Sequence, residues 1–320
     1  MSEYQYYEFV AIDRPLTREE MAKLRSRSTR ATITPTSFVN EYQWGDLKGD
    51  PADWMRRYFD AFVYVANWCS CELALRVPHA VLSKADLKRF STKHALTVDD
   101  SGSHWIIDWS LDESEDYDRF GMEDGRGWMG RLAPLRDELL RGDLRPLYLS
   151  WLAGVSAREI GDDAAEPEVP PGMSQLSAAQ QALAEFLEID QDLLAAAPSG
   201  TQRRVAELWA LAEEEKKLRL QREAKERARQ EAGRRKKREA YLATLAADFD
   251  HCWNAIHRHA ERGTASAYDE AKRGIVDLAD AYALASKRDA FGHALRQFMV
   301  RHTQRGALVR RLVEIGLWQK

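Results

Sequence analysis

The densest set of groups able to do chemistry is a run of carboxylates: Asp108, Asp112, Glu113, Glu115, Asp116, Asp118, Glu123 and Asp124. Clustered hard oxygens can hold a divalent cation. The run lacks the glycine and ligand spacing of an EF-hand loop, so an exposed acidic loop or partner-binding patch is expected, with a cation site as the alternative. Gly125-Arg126-Gly127-Trp128-Met129-Gly130 follows and matches G-x-G-x-x-G. That motif cradles a pyrophosphate when it follows a buried strand and opens a helix. Here residues 112–124 set seven carboxylates and one arginine in front of it, a field that repels phosphate. The expectation is a loop that feeds a helix, and no cofactor.

Cys69-Ser70-Cys71 would set two thiols on one face of a strand. Zinc needs about four ligands, and no second Cys/His pair lies near them in sequence. His251, Cys252, His257 and His259 fall on one helical stretch, but their spacing does not bring them to a shared face. Buried thiols and surface imidazoles are expected, and no metal is assigned. The sequence contains no G-x-x-x-x-G-K-[ST], H-E-x-x-H or G-x-S-x-G, so no catalytic residue is assigned.

The basic groups form a clearer pattern. Arg234, Arg235, Lys236, Lys237 and Arg238 are consecutive, and Lys287, Arg288, Arg296, Arg301, Arg305, Arg310 and Arg311 recur toward the end. On helices such side chains can track a phosphate backbone, each contact releasing counterions. Apolar Leu295, Phe298, Met299, Leu308 and Leu312 lie among them and would pack a core. The candidate nucleic-acid or partner-binding residues are therefore Arg234 to Arg238, Arg296, Arg301, Arg305, Arg310 and Arg311.

The elements that must position these groups divide by charge. The chain has 320 residues and a net charge of −4. Residues 1–200 hold 21 Lys+Arg and 34 Asp+Glu, while residues 201–320 hold 26 and 17. An acidic front and a basic back suggest two modules with different partners. The longest strongly apolar run, residues 61–68, is far short of the roughly 20 residues that span a bilayer, so no membrane partner is expected. Residues 1–9 carry Glu3 and Glu8 and no basic stretch, so no secretory signal is expected. Three cysteines in so long a chain fit a reducing compartment, hence the cytoplasm.

Residues 1–110 read as mixed α/β. Residues 4–12 are aromatic and β-branched, a strand. Thr17 and Glu20 have capping-box spacing, with Leu16 and Met21 as a hydrophobic staple. Residues 31–42 read as a strand at an edge or broken at Pro35, which lacks a backbone donor. Asp50 and Pro51 open a helix. Residues 62–68 are apolar at both parities, a strand buried on both faces. Ser83 and Asp86 cap a short helix, and residues 95–98 and 105–109 form a hairpin. The order suggests an open sheet with helices packed on one side.

Residues 126–149 turn helical. Residues 161–173 are acidic and proline-rich, a linker and domain boundary. A helix over 174–188 follows. Residues 201–250 contain no proline and read as one long helix of about 75 Å. Glu213–Lys217, Glu215–Arg219, Glu223–Arg227 and Glu231–Arg235 have (i, i+4) spacing. A coiled coil needs apolar a and d positions, and residues 221–240 offer only alanine, so a rigid charged spacer is expected instead of a zipper. Three or four further helices end the chain, with breaks at Gly263 and Gly306. The fold class is α+β: an open-sheet head (1–160), a linker with a short helix (161–200), a long charged helix (201–250) and a basic helical module (251–320).

Residues 4–9 (YQYYEF), 11–17 (AIDRPLT), 33–38 (ITPTSF) and 44–46 (WGD) resemble a family of uncharacterised bacterial cytosolic proteins. The resemblance spans about the first third of the chain and implies no activity, so it transfers no functional residue. The expected function is a non-enzymatic interaction protein whose basic tail docks on DNA, RNA or an acidic protein. The alternative is a metal-dependent enzyme using residues 108–124.

Overall fold

Alternation along the first strands decides the architecture. Phe9 of β1 (Gln5–Val10) lies between Phe38 of β3 (Ser37–Tyr42) and Phe62 of β4 (Ala61–Ala66). With β2 (Thr32–Thr34), β5 (Cys71–Pro78), β6 (Thr97–Asp100) and β7 (His104–Leu111) they make one sheet in the order β2-β3-β1-β4-β5-β7-β6. Every neighbouring pair is antiparallel. The computed structural model describes residues 4–112, 125–199 and 202–319.

Helices cover both faces of this sheet, not one. Phe9, Phe38, Phe62, Ala74 and Ile106 pack under α1 (Arg18–Arg27) and α2 (Pro51–Arg57). Val63, Leu73, Leu75, Ile107 and Trp109 face the other way, beneath α3 (Lys84–Phe90), α4 (Trp128–Leu132), α5 (Pro134–Leu140), α6 (Arg145–Ser156), α7 (Ala178–Phe186) and α8 (Gln191–Ala196). The reason is in β4 and β5. β4 is apolar at both parities and β5 at one, so a single cover would leave an apolar face of β4 wet.

Local signals hold. Thr17 and Glu20 form a capping box, Asp50 caps α2 with Pro51 in its first turn, and Ser83 caps α3. Pro35 and Thr36 are the two-residue turn between β2 and β3, so residues 31–42 are two strands. Cys69 sits in the β4–β5 turn at φ 67°, so it does not share a strand face with Cys71. The glycine motif does feed a helix, but one of only five residues. A side chain at Gly125 would strike Tyr6, and Gly127 has a positive φ of 92°.

The acidic, proline-rich stretch 161–173 is packed against the sheet domain. Glu166 is 1% exposed, accepts a hydrogen bond from Tyr148 and pairs with Arg203 at 2.7 Å. Val205 N donates to Ala164 O, and Met173 is buried with Leu183 and Phe186. The chain divides instead into compact units Met1–Arg219 and Leu220–Lys320, inside α9 (Val205–Ala247). Composition marked a linker, but the buried ion pair and the apolar anchors Val169 and Met173 hold the stretch down.

The second unit contains the rest of α9, α10 (Phe249–Arg262), α11 (Ala265–Leu284), α12 (Arg288–His302) and α13 (Gly306–Glu314). Trp253, Ile256, Ile275, Leu278, Phe298, Leu308 and Leu312 make its core. Gly263 ends α10 in the left-handed conformation, and Gly306 opens α13. Leu284, the last residue of α11, is exposed. No helix among the described residues is long and apolar enough to cross a membrane.

Arg203→Met would strand the buried Glu166 carboxylate. A loss of about 3–5 kcal/mol is expected. Urea denaturation followed by tryptophan fluorescence checks it, since eight of the ten tryptophans lie in Met1–Arg219.

Candidate functional site

The cations singled out from sequence all lie on helices of the second unit. Arg234, Arg235, Lys236 and Lys237 are exposed on α9. Arg238 is partly exposed and pairs with Asp277 at 2.7 Å and Asp280 at 2.8 Å on α11. Tyr241, one turn on, donates to Asp277 at 3.0 Å. These contacts tie the end of α9 to α11.

The remaining candidates divide the same way. Arg311 pairs with Asp269 at 2.7 Å, and half-buried Arg305 reaches Glu261 O and the Tyr268 hydroxyl. Arg235 meets Glu239 at 3.5 Å. Arg234, Lys236, Lys237, Arg296, Arg301 and Arg310 are exposed and have no ion pair among the described residues. Residues 220–320 carry 21 Lys+Arg against 13 Asp+Glu, a net of +8. Three of the ten candidates are therefore braces, and six present uncompensated charge.

The (i, i+4) pairs expected along α9 are partly replaced. Glu213 meets Lys216 at 3.5 Å, and Arg219 turns to Asp192 at 2.9 Å. Such exposed pairs contribute about 0–1 kcal/mol each, so a better-placed carboxylate redirects them easily.

A second constellation lies in the sheet. The β5–β7 register sets Ala74 opposite Asp108 and Glu72 opposite Ser110, so Glu72 and Asp108 are diagonal neighbours on one face. They line a cavity of about 190 Å³ between that face and α2, with Met55, Arg56 and Asp99. Arg56 pairs with Asp99 at 2.6 Å. The two carboxyls hydrogen-bond each other, and both titrate above the usual carboxylate range. Burial is the main cause for each; for Asp108 the neighbouring Glu72 charge adds to it. Both carboxyls are thus shifted toward their protonated forms, which sets a donor beside an acceptor.

Asp108 belonged to the acidic run read from sequence; Glu72 did not. Its one signal was a carboxylate in an otherwise apolar stretch, Cys71-Glu72-Leu73-Ala74-Leu75. Glu113, Glu115, Asp116, Asp118, Glu123 and Asp124 lie outside the described residues. No group of three or more His, Cys, Asp or Glu among the described residues suits a metal ion.

The imidazoles of α10 diverge. His257 Nδ1 lies 2.8 Å from His302 Nε2 of α12, and His259 Nδ1 lies 2.7 Å from Glu270 of α11. Burial pushes the Cys252 thiol up, away from reactivity. His302 is 2% exposed. Burial holds both His257 and His302 below their ordinary value of 6.5; for His302 the neighbouring His257 adds to this.

The chain matches no family profile, no curated protein and no solved structure.

Two pH dependences of opposite sign follow. The folded chain keeps a proton on the Glu72–Asp108 pair that the unfolded chain releases above ordinary values of 3.8 and 4.5. Stability from this pair is present at acid pH and falls as pH rises. Asp108→Asn is therefore expected to raise the melting temperature relative to wild type, by a margin that grows between mildly acid and alkaline pH. The histidine pair does the reverse. It stabilises above the ordinary value of 6.5, and its contribution is lost as pH falls below it. His302→Gln is expected to make the acid limb of the melting curve against pH shallower.

Proposed function

We propose that the protein is a non-enzymatic interaction protein whose helical unit docks on a polyanion. One observation carries the reading. In a unit with a net charge of +8, six of the ten candidate cations are exposed with no carboxylate partner among the described residues, while Arg238 and Arg311 have one. Uncompensated charge of one sign attracts a partner of the other, over a range set by the ionic strength. The first unit, residues 1–219, holds 26 Lys+Arg and 38 Asp+Glu and presents the opposite sign. The bacterial cytosol fits this reading: the three cysteines are thiols, and the N-terminal stretch resembles bacterial cytosolic proteins.

The cavity over Glu72 and Asp108 favours a second reading, an enzyme that uses carboxyls at and beyond residue 108. A proton donor beside an acceptor suits general acid–base work. Elemental analysis of the purified chain separates the two readings. Stoichiometric metal, lost in Asp108→Asn, would favour a metal-dependent enzyme.

The first reading is tested on a heparin column with the full chain, whose net charge of −4 gives no bulk reason to adhere. Retention is expected. Arg234→Glu, Lys236→Glu and Lys237→Glu together should lower the salt needed for elution. Wild-type protein in the flow-through at low salt would overturn the reading.

A further inference from the structure

We propose that Arg222, Lys225, Arg229 and Lys236 form a stripe along α9 that seats on the phosphate backbone of a nucleic-acid duplex. This rests on the polyanion reading and names the ligand and where it lies.

The four residues are spaced three, four and seven apart. At about 100° per residue they fall within an arc of about 60° on the helix. Arg238 and Tyr241, which bind α11, point about 170° and 130° away from the centre of that arc. The stripe therefore faces away from the α11 carboxylates that hold Arg238 and Tyr241. Every residue from 221 to 237 is exposed, and none of the four cations has an ion pair among the described residues. Glu223 and Glu231 lie on the other side of the helix. Glu226, just past the stripe's edge, accepts a hydrogen bond from Gln230 at 3.1 Å.

The chemistry of the surface selects its ligand. Residues 221–240 contain no large apolar side chain. Protein interfaces draw most of their affinity from buried aromatic and apolar anchors, and this surface offers none. Single-stranded nucleic acid is held largely by stacking on aromatic rings, which residues 221–240 also lack. What remains is a line of charge over about 21 Å of helix. A duplex carries one negative charge per roughly 1.7 Å of its axis, an extended line of opposite sign. Ala232 and Gly233 are small and lie at the flanks of the stripe, so nothing bulky stands between helix and backbone. Binding through charge alone is independent of base sequence.

The test is fluorescence anisotropy of a labelled DNA duplex with the full chain, across a salt series. The comparison variant is Arg222→Gln, Lys225→Gln, Arg229→Gln and Lys236→Gln combined. Glutamine keeps helix propensity, and circular dichroism verifies the fold. Wild type should bind with a steep salt dependence. Losing four contacts should flatten the slope of log affinity against log salt by roughly 3 to 4. Between about 50 and about 200 mM salt, the variant should then lose about a hundredfold less affinity than wild type. Duplex binding with an unchanged slope in this variant would overturn the stripe and leave the polyanion reading standing. So would retention on heparin with no duplex binding, or tighter binding to the single strand or to an acidic polypeptide. Failure on heparin and duplex alike would overturn both.

Discussion

The constraint on which the first unit depends is that β4, the central strand of the sheet, is apolar on both faces. Val63, Val65, Leu73 and Leu75 point one way; Phe62 and Ala74 point the other. Each face must be covered, and the chain supplies two unequal covers. The short α1 and α2 lie over the aromatic face. The larger cover, α3 to α8, draws in Val169 and Met173 and ends on Val205, Leu208 and Ala212 at the start of α9. The same burial that seals the sheet thus anchors the base of the long helix.

The unequal covers also account for the carboxyl cavity. α2 has only seven residues and shields a limited part of the face. At its edge the strand pairing brings Glu72 and Asp108 together, where neither can shed its charge into bulk water. Burial there favours the protonated form of each carboxyl over a charge facing its neighbour. Other buried charges in this unit are met by cations. Asp60 is held by Arg76 and by the backbone N–H groups of Ile12 and Asp13, and Glu166 by Arg203. The cation that lines the cavity with Glu72 and Asp108, Arg56, pairs with Asp99 instead.

α9 inverts the logic of the sheet. Its middle has no apolar side to bury, so helicity there rests on propensity and on length. Its two ends are held by different means. The start is packed among core residues of the first unit, and the end is tied to α11 through Arg238, Tyr241 and the carboxylates of Asp277 and Asp280. The middle of the helix can expose a continuous charged surface without loss of core, since it contributes none.

Local features were legible in the sequence for a physical reason. The Thr17–Glu20 capping box, the Asp50–Pro51 start of α2, the proline-free run that becomes α9 and the Gly263 stop all depend on contacts within about four residues, which spacing alone displays. The polarity of the two halves is likewise a count, and so were the ten candidate cations. The roles of those cations were not. Arg238 and Arg311 are braces because α11 brings Asp277, Asp280 and Asp269 to them from about 40 residues away. The pairing of Glu72 with Asp108 needed the β5–β7 register, and the packing of 161–173 needed Tyr148 and Arg203 around Glu166. Strand pairing and helix docking join residues far apart in the chain, so only the tertiary structure could decide which charges are satisfied within the protein and which face outward.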